Sequence, residues 1–512
     1  MIADVTLRFM DVGTIVVYLL GMAAIGVYFA RKKKTTEGYF VGNRAFPGWA
    51  VGLSMFATSI SSVTFLAFPG AAFILDWRQI VQNLTLPLIA VVAILLFIPF
   101  FRRGKVMSAY EYLEERFGPL LRLYGAINFI ILQFVRLGTV LYLVSIPVQI
   151  LTGTSIIWVI VIVGVVVSFY TILGGLEAVI WIDVVQAIVL ITGAVLPLFF
   201  IVDQLPGGLA QIVQDGMKQH KFSLGPMSWD LAERTFPAMV LIGLLNWTTE
   251  YTTNQNVIQR YLAASSMREA RKATAICAAM SLPIWVFFFF VGTSLFVYYQ
   301  VFPDSGIEQI VSERRTDYIF PYFILSRMPA GIAGLVIAGL LAATMSLDSS
   351  INSVATVTTV DIVKRHICPG RDDAFYLRVG KIASVGAAVA MIVGAVVIAH
   401  LPKESMVDLN LRIIQIVFGG GLMGLFLLGF LTTRANYISA SVALVLTLLL
   451  DAYLALCSFD QLPDCISVRV HTYWIGVIAN GFVIFVGYAM SFITPGVPKP
   501  LGRLTIWTMG SP

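Results

Sequence analysis

A chain of 512 residues that is 58% hydrophobic and only 12% charged is not a soluble globular protein, which would carry about twice that charge. Its apolar runs do not alternate with polar residues, which excludes a transmembrane β-barrel, and no polar stretch is long enough to build a separate soluble domain. The fold class expected is an all-α polytopic membrane protein, and the formal net charge of +6 is to be read by side of the bilayer rather than as nucleic-acid affinity.

Thirteen runs have about the length that crosses a bilayer: 11–31, 47–73, 79–101, 119–152, 154–173, 177–204, 236–260, 267–300, 330–365, 373–401, 410–431, 436–458 and 471–493. The first ends in Arg31-Lys32-Lys33-Lys34, the reverse of the charge order of a cleaved signal. The second holds the chain's oddest feature, five hydroxyls in the seven residues from Thr58 to Thr64. Hydrocarbon requires every backbone group to be bonded internally. Hydroxyl-rich, breakable helix at that depth either lines a site, as in many secondary transporters, or bonds back to its own carbonyls. The seventh run is interrupted as well, by the polar residues Asn246 to Asn256. Five spans separate the two interruptions. Five is odd, so a second five-helix unit would lie inverted relative to the first. This predicts an extra helix at 11–31, inverted repeats at 47–204 and 236–431, and two C-terminal helices at 436–493.

Lys and Arg concentrate after the odd-numbered spans, at Arg31–Lys34 with Arg44, at Arg102, Arg103 and Lys105, at Arg260–Lys272, at Lys364-Arg365 with Arg371, and at Arg434. Positive residues stay in the cytoplasm, so the N-terminus is expected outside and the C-terminus inside. Residues 108–117, SAYEYLEERF, read as an amphipathic helix on the cytoplasmic membrane face. Cys457 and Cys465 flank one short loop on the outer side, where a disulfide and two free thiols both stay open.

Charges within spans are functional hypotheses by default. Asp183 and Asp348 are hard oxygen donors suited to sodium. Helical spacing puts Met345, Asp348 and Asn352 on one face, with Ser349 adjacent. A cap is the alternative for Asp183. Arg136 needs an anion, either a structural acid such as Glu250 or Asp183, or an acidic solute held bidentately. Trp77, Gln79, Gln82 and Asn83 open the third span as sugar-binding groups or as interfacial anchors, with the anchor preferred for Trp77. Arg260 and Asp361 read as positional residues at cytoplasmic helix ends. The sequence contains no phosphate-binding loop, HExxH or GxSxG, which argues against an ATP-driven pump or an enzyme.

Four stretches resemble the sodium/solute symporter family, whose members have the inverted-repeat leucine-transporter fold: TTEGYFVGNR at 35–44, TILGGLEAVIWIDVVQ at 171–186, NQNVIQRYLAASSMREARKA at 254–273 and GLLAATMSLDSSINSVATVTTVDI at 339–362. The resemblance implies a first sodium held by the carbonyls of Ala57, Ile60 and Ala342 and the hydroxyl of Ser346. Met345 stands there in place of a second hydroxyl, and a thioether is a poor sodium ligand. It implies a second sodium near Asp183, Asp348 and Ser349, with Asp348 replacing a small residue. The sialic acid transporters of the family imply a solute site of Ser59, Ser61, Thr64, an amide at Asn83 and the arginine Arg136; Gln79 and Asn254 join that set. The expectation is a sodium-coupled symporter in the plasma (inner) membrane, acting as a monomer on a small solute, most plausibly an acidic sugar such as sialic acid. A neutral sugar or polyol is the alternative, and a non-transporting membrane sensor a more distant one. No nucleic-acid partner is expected.

Overall fold

The computed structural model describes residues 8–30, 35–102, 106–230, 233–401, 413–417, 419–459, 461–463, 465–468, 470–494, 501–502 and 504–508. The basic residues Arg31–Lys34, Arg103 and Lys105 and the start of the 410–431 run lie outside them. Among the described residues, nine helices are long and apolar enough to cross a membrane, and a bent pair makes a tenth crossing. The helices used below are α1 (Phe9–Ala30), α2 (Gly48–Ser59), α3 (Val63–Ile74), α4 (Trp77–Arg102), α5 (Glu111–Arg116), α6 (Pro119–Thr152), α7 (Ile156–Gln204), α8 (Phe236–Thr252), α9 (Gln255–Ala263), α10 (Met267–Val301), α11 (Ile332–Ala342), α12 (Met345–Val357), α13 (Asp373–Ala399), α14 (Leu422–Leu431), α15 (Tyr437–Ser458) and α16 (Tyr473–Met490).

The second run is broken as expected. α2 ends where Ile60 turns extended (φ −100°, ψ 127°), and α3 leaves at 56° to it. The seventh run is also two helices, parted at Thr253-Asn254, where the Asn254 side chain accepts from the Asn256 N–H and caps α9. A third break separates α11 from α12 at Ala343-Thr344. The predicted spans 154–173 and 177–204 are the two helical halves of α7, kinked where Gly175 leaves helical geometry between them (φ 59°, ψ −170°). A Cβ at Gly175 would lie 2.7 Å from the Tyr39 ring, so the kink needs a glycine for both conformation and space. Asp183 is therefore inside a helix and caps nothing.

The structure bears on three further expectations. The 108–117 segment packs one face on the helix bundle: Arg116 of α5 is buried and donates to the Thr432 carbonyl at 2.9 Å, and Tyr112 stacks on Phe430 at 4.8 Å. The guanidinium meets carbonyls at the end of α14, and that fixes the segment as a strut. Trp77 is no interfacial anchor, because its indole N–H donates to the Thr293 hydroxyl at 3.0 Å on α10. Cys457 is buried, Cys465 is exposed, and both thiols are free.

The broken pair is sealed against its neighbours. α10 packs on both α2 and α3, and α7 packs on α2 and α12. Lys221 donates to the carbonyls of Phe73 and Leu75 at the end of α3, at 2.7 and 2.9 Å. Burial pushes its ammonium pKa down to about 8. Asp11 of α1 accepts from the Gly331 and Gly334 N–H groups, both at 2.7 Å, and so caps α11. In lipid, small residues let helix backbones approach closely. α7 and α11 do so at Gly193 and Gly339, where a Cβ on either would lie 2.9 Å from the other's Cα. Gly339→Leu is expected to destabilise the protein by about 1–3 kcal/mol, seen as a lower melting temperature in detergent. Gly386→Leu on α13, where nothing lies within 4 Å of a new Cβ, should leave melting unchanged.

Candidate solute and cation sites

The hydroxyls at the break divide by direction. Thr58 donates to the Ser54 carbonyl at 2.8 Å, Ser59 to Met55 at 3.0 Å and Ser62 to Val140 of α6 at 3.0 Å. Ser59, Ser61 and Thr64 also line a cavity of about 210 Å³ closed by α4, α6, α8 and α10. Its other walls include Gln82, Asn83, Arg136, Asn246, Trp247, Glu250 and Trp285. Indole faces opposite amides and hydroxyls form an amphipathic chamber, the usual make-up of a pocket for a small polar ligand.

Of the solute residues expected from sequence, Ser59, Ser61, Thr64, Asn83 and Arg136 meet in this cavity. Gln79 and Asn254 do not line it. Gln79 is buried one turn before Asn83, with its side-chain oxygen unpartnered among the described residues. Asn254 donates to Glu250 at 2.7 Å and lines a narrow second cavity of about 10 Å³ with Tyr110, Asn128 and Thr253. Glu250 and Leu132 line both cavities. The amides Gln82 and Asn83, both offered by the sequence as sugar-binding groups, line the cavity; Gln82 Oε1 accepts from Asn246 at 3.4 Å, while Asn246 Oδ1 accepts from Gln415 at 3.0 Å. Trp247, Trp285 and Asn246 were missed, because nothing in a linear pattern separates a cavity-facing indole from a packed one. Glu250 carried a signal, being an acid within a predicted span, yet was weighed only as a structural partner.

Arg136 is held from two sides. Its Nη2 donates to the Thr58 carbonyl at 2.7 Å, and its Nη1 lies 3.6 Å from Glu250 Oε1. The guanidinium thus bridges α6, the break and α8.

The opposite side of the break faces α12. Thr58 and Ser349 hydroxyls lie 3.1 Å apart, joining the end of α2 to the start of α12. Ala57 and Ile60 flank that junction on one chain segment, and Ala342, Met345 and Ser346 flank it on the other. All five are buried. Deeper still, Asp183 Oδ2 accepts from Ser54 at 2.5 Å and lies 3.3 Å from Arg260 Nη2. Arg260 also donates to Ser349 and, at 2.9 Å, to the Asn256 carbonyl. Arg260 stands in the last turn of α9, at a helix end as expected, but it is fully buried and pairs with Asp183 rather than only marking position. Asp348 Oδ1 accepts from Thr171 at 2.7 Å, while Asp348 Oδ2 and Asp183 Oδ1 are buried without a hydrogen-bond partner among the described residues.

The pattern of the sodium:solute symporter family matches residues 39–446. The sodium/sialic acid symporter NanT of Aliivibrio fischeri is 32% identical over 475 residues, covering 92% of this chain and 90% of its own. The sodium/sialic acid symporter SiaT of Proteus mirabilis is 33% identical, covering 84% and 86%. Among solved structures, the substrate-bound outward-open state of a sodium-coupled sialic acid symporter superposes with a TM-score of 0.86 at 30% identity, over 96% of this chain and 98% of that one. The nucleobase-cation symporter Mhp1 shares the fold alone, with a TM-score of 0.56 at 13% identity over 89% and 94%. With its broken helix, its cavity and these matches along nearly its whole length, the chain belongs to the sodium:solute symporter family.

Proposed function

We propose that the chain imports an acidic sugar, of the sialic acid class, by sodium-driven alternating access. The observation that carries this reading is Arg136 facing a cavity of about 210 Å³ beside the hydroxyls of Ser61 and Thr64 and the amides of Gln82 and Asn83. A guanidinium orients a carboxylate, hydroxyls and amides meet sugar hydroxyls, and Trp247 and Trp285 offer apolar faces for a ring. The sialic acid named for NanT and SiaT supports the same class. A monomer in the plasma (inner) membrane suffices, with the N-terminus outside and the C-terminus in the cytoplasm, supported by the basic linkers. The inverted repeats are proposed at 47–204 and 236–431, supported by the breaks at Ile60 and Thr253-Asn254.

The first sodium is proposed on the carbonyls of Ala57, Ile60 and Ala342 and the hydroxyl of Ser346, with Met345 contributing little. The second is proposed between the unpartnered oxygens Asp183 Oδ1 and Asp348 Oδ2, near Ser349. Two carboxylates and the Arg260 guanidinium leave one negative charge there, which one sodium neutralises. Sodium at the first position ties α2 to α12, and favouring that arrangement favours the solute site on the other side of the break. A neutral sugar or polyol is the second reading, supported by Glu250 beside Arg136, which makes the empty cavity neutral.

In proteoliposomes, sialic acid uptake is expected under a sodium gradient and not under choline. Arg136→Ala should weaken sialic acid binding by roughly 30-fold or more; unchanged uptake would overturn the anion clamp and favour the neutral solute. Asp348→Asn should lower the Hill coefficient for sodium. Arg260→Met leaves both carboxylates without their guanidinium, and is expected to cost about 3–5 kcal/mol of stability, read from melting in detergent.

A further inference from the structure

We propose that Glu250 stands in for the solute's carboxylate on Arg136 when the carrier is empty, and that this makes anion binding conditional on sodium. This rests on the acidic-sugar reading above. Three observations meet at Glu250. Its Oε1 lies 3.6 Å from Arg136 Nη1, while its Oε2 accepts from Asn254 at 2.7 Å. It lines both the main cavity and the narrow one beside Asn254. Arg136 in turn donates to the Thr58 carbonyl, one residue from the Ala57 carbonyl proposed for sodium.

Charge counting then decides the order of events. In the empty cavity Arg136 and Glu250 sum to zero. A solute carboxylate arriving on Arg136 brings the total to minus one, in a partly enclosed site of buried and half-buried side chains, where charge is less screened than in open water. Sodium at the Ala57 and Ile60 carbonyls restores neutrality beside the same guanidinium. Each ligand alone leaves a net charge and the pair does not, which is a positive coupling between them. The displaced Glu250 has a second partner waiting in Asn254, on the side of the narrow cavity. Without Glu250 the empty site would carry a positive charge, would bind an anion unaided and would repel sodium.

The test is calorimetric titration of the detergent-solubilised full chain with N-acetylneuraminate, in sodium chloride and in choline chloride. Wild type should bind at least roughly tenfold more tightly in sodium. Glu250→Gln should bind about tenfold more tightly than wild type in choline and lose most of its sodium enhancement, while Glu250→Asp keeps it. Asn254→Asp retains the cap on α9 but removes the amide donor and adds a like charge. It should push Glu250 onto Arg136 and weaken binding; tighter binding would overturn the proposal, and this variant decides if Glu250→Gln melts as an unfolded protein. A wild-type sodium enhancement preserved in Glu250→Gln, or weaker binding by it in choline, overturns the role of Glu250 alone. Absence of wild-type binding in sodium overturns the acidic-sugar reading and this inference with it.

Discussion

The structure depends on a helix that stops in the middle of a membrane. Between Ser59 and Val63 the backbone of the second span leaves the helical ladder, and its carbonyls need partners where water and lipid cannot supply them. Arg136 takes the Thr58 carbonyl, while hydroxyls of the break tie it to its neighbours: Ser62 donates to the Val140 carbonyl of α6, and Thr58 meets Ser349 on α12. The same break lies between the cavity on one side and α12 on the other, so the proposed cation and solute positions share one piece of backbone.

Buried charge is the second theme, and it obeys local neutrality. Asp183 and Arg260 sit fully buried at 3.3 Å, Arg136 pairs with Glu250, and Arg122 pairs with Asp361 at 2.7 Å. Removing one member of such a pair is costly because a lone buried ion has no compensation. Among the described residues, Asp183 Oδ1 and Asp348 Oδ2 are two of the buried side-chain atoms that lack a hydrogen-bond partner.

The tight helix crossings hold this arrangement in place. Gly193 against Gly339 brings the helix of Asp183 onto the one that ends at Ala342, and the Gly175 kink turns the chain toward Asp183. Lys221 and Asp11 close the ends of α3 and α11, the two helices whose far ends approach breaks. Caps and crossings thus set where the breaks fall in space.

Much was legible in the chain itself. Composition and run length determined a polytopic helical protein; the hydroxyl cluster at 58–64 and the polar run at 246–256 marked two of the three breaks; an arginine and two aspartates inside spans marked charged positions. Motifs spread along the chain carried the family. Which side each group faces could not be read in this way. Gln79 and Gln82 are equivalent in a linear pattern, yet one is buried outside the cavity and the other lines it. Arg260 is in the last turn of α9 as the sequence suggested, yet fully buried against Asp183, and Glu250 looked structural until two cavities met at it. Sequence determines residue type and periodicity, which decide burial in a bilayer. Only the packing of broken helices against one another decides which buried polar groups face a solute, which face a cation and which face each other, because a break frees the direction of the following helix from the periodicity of the preceding one.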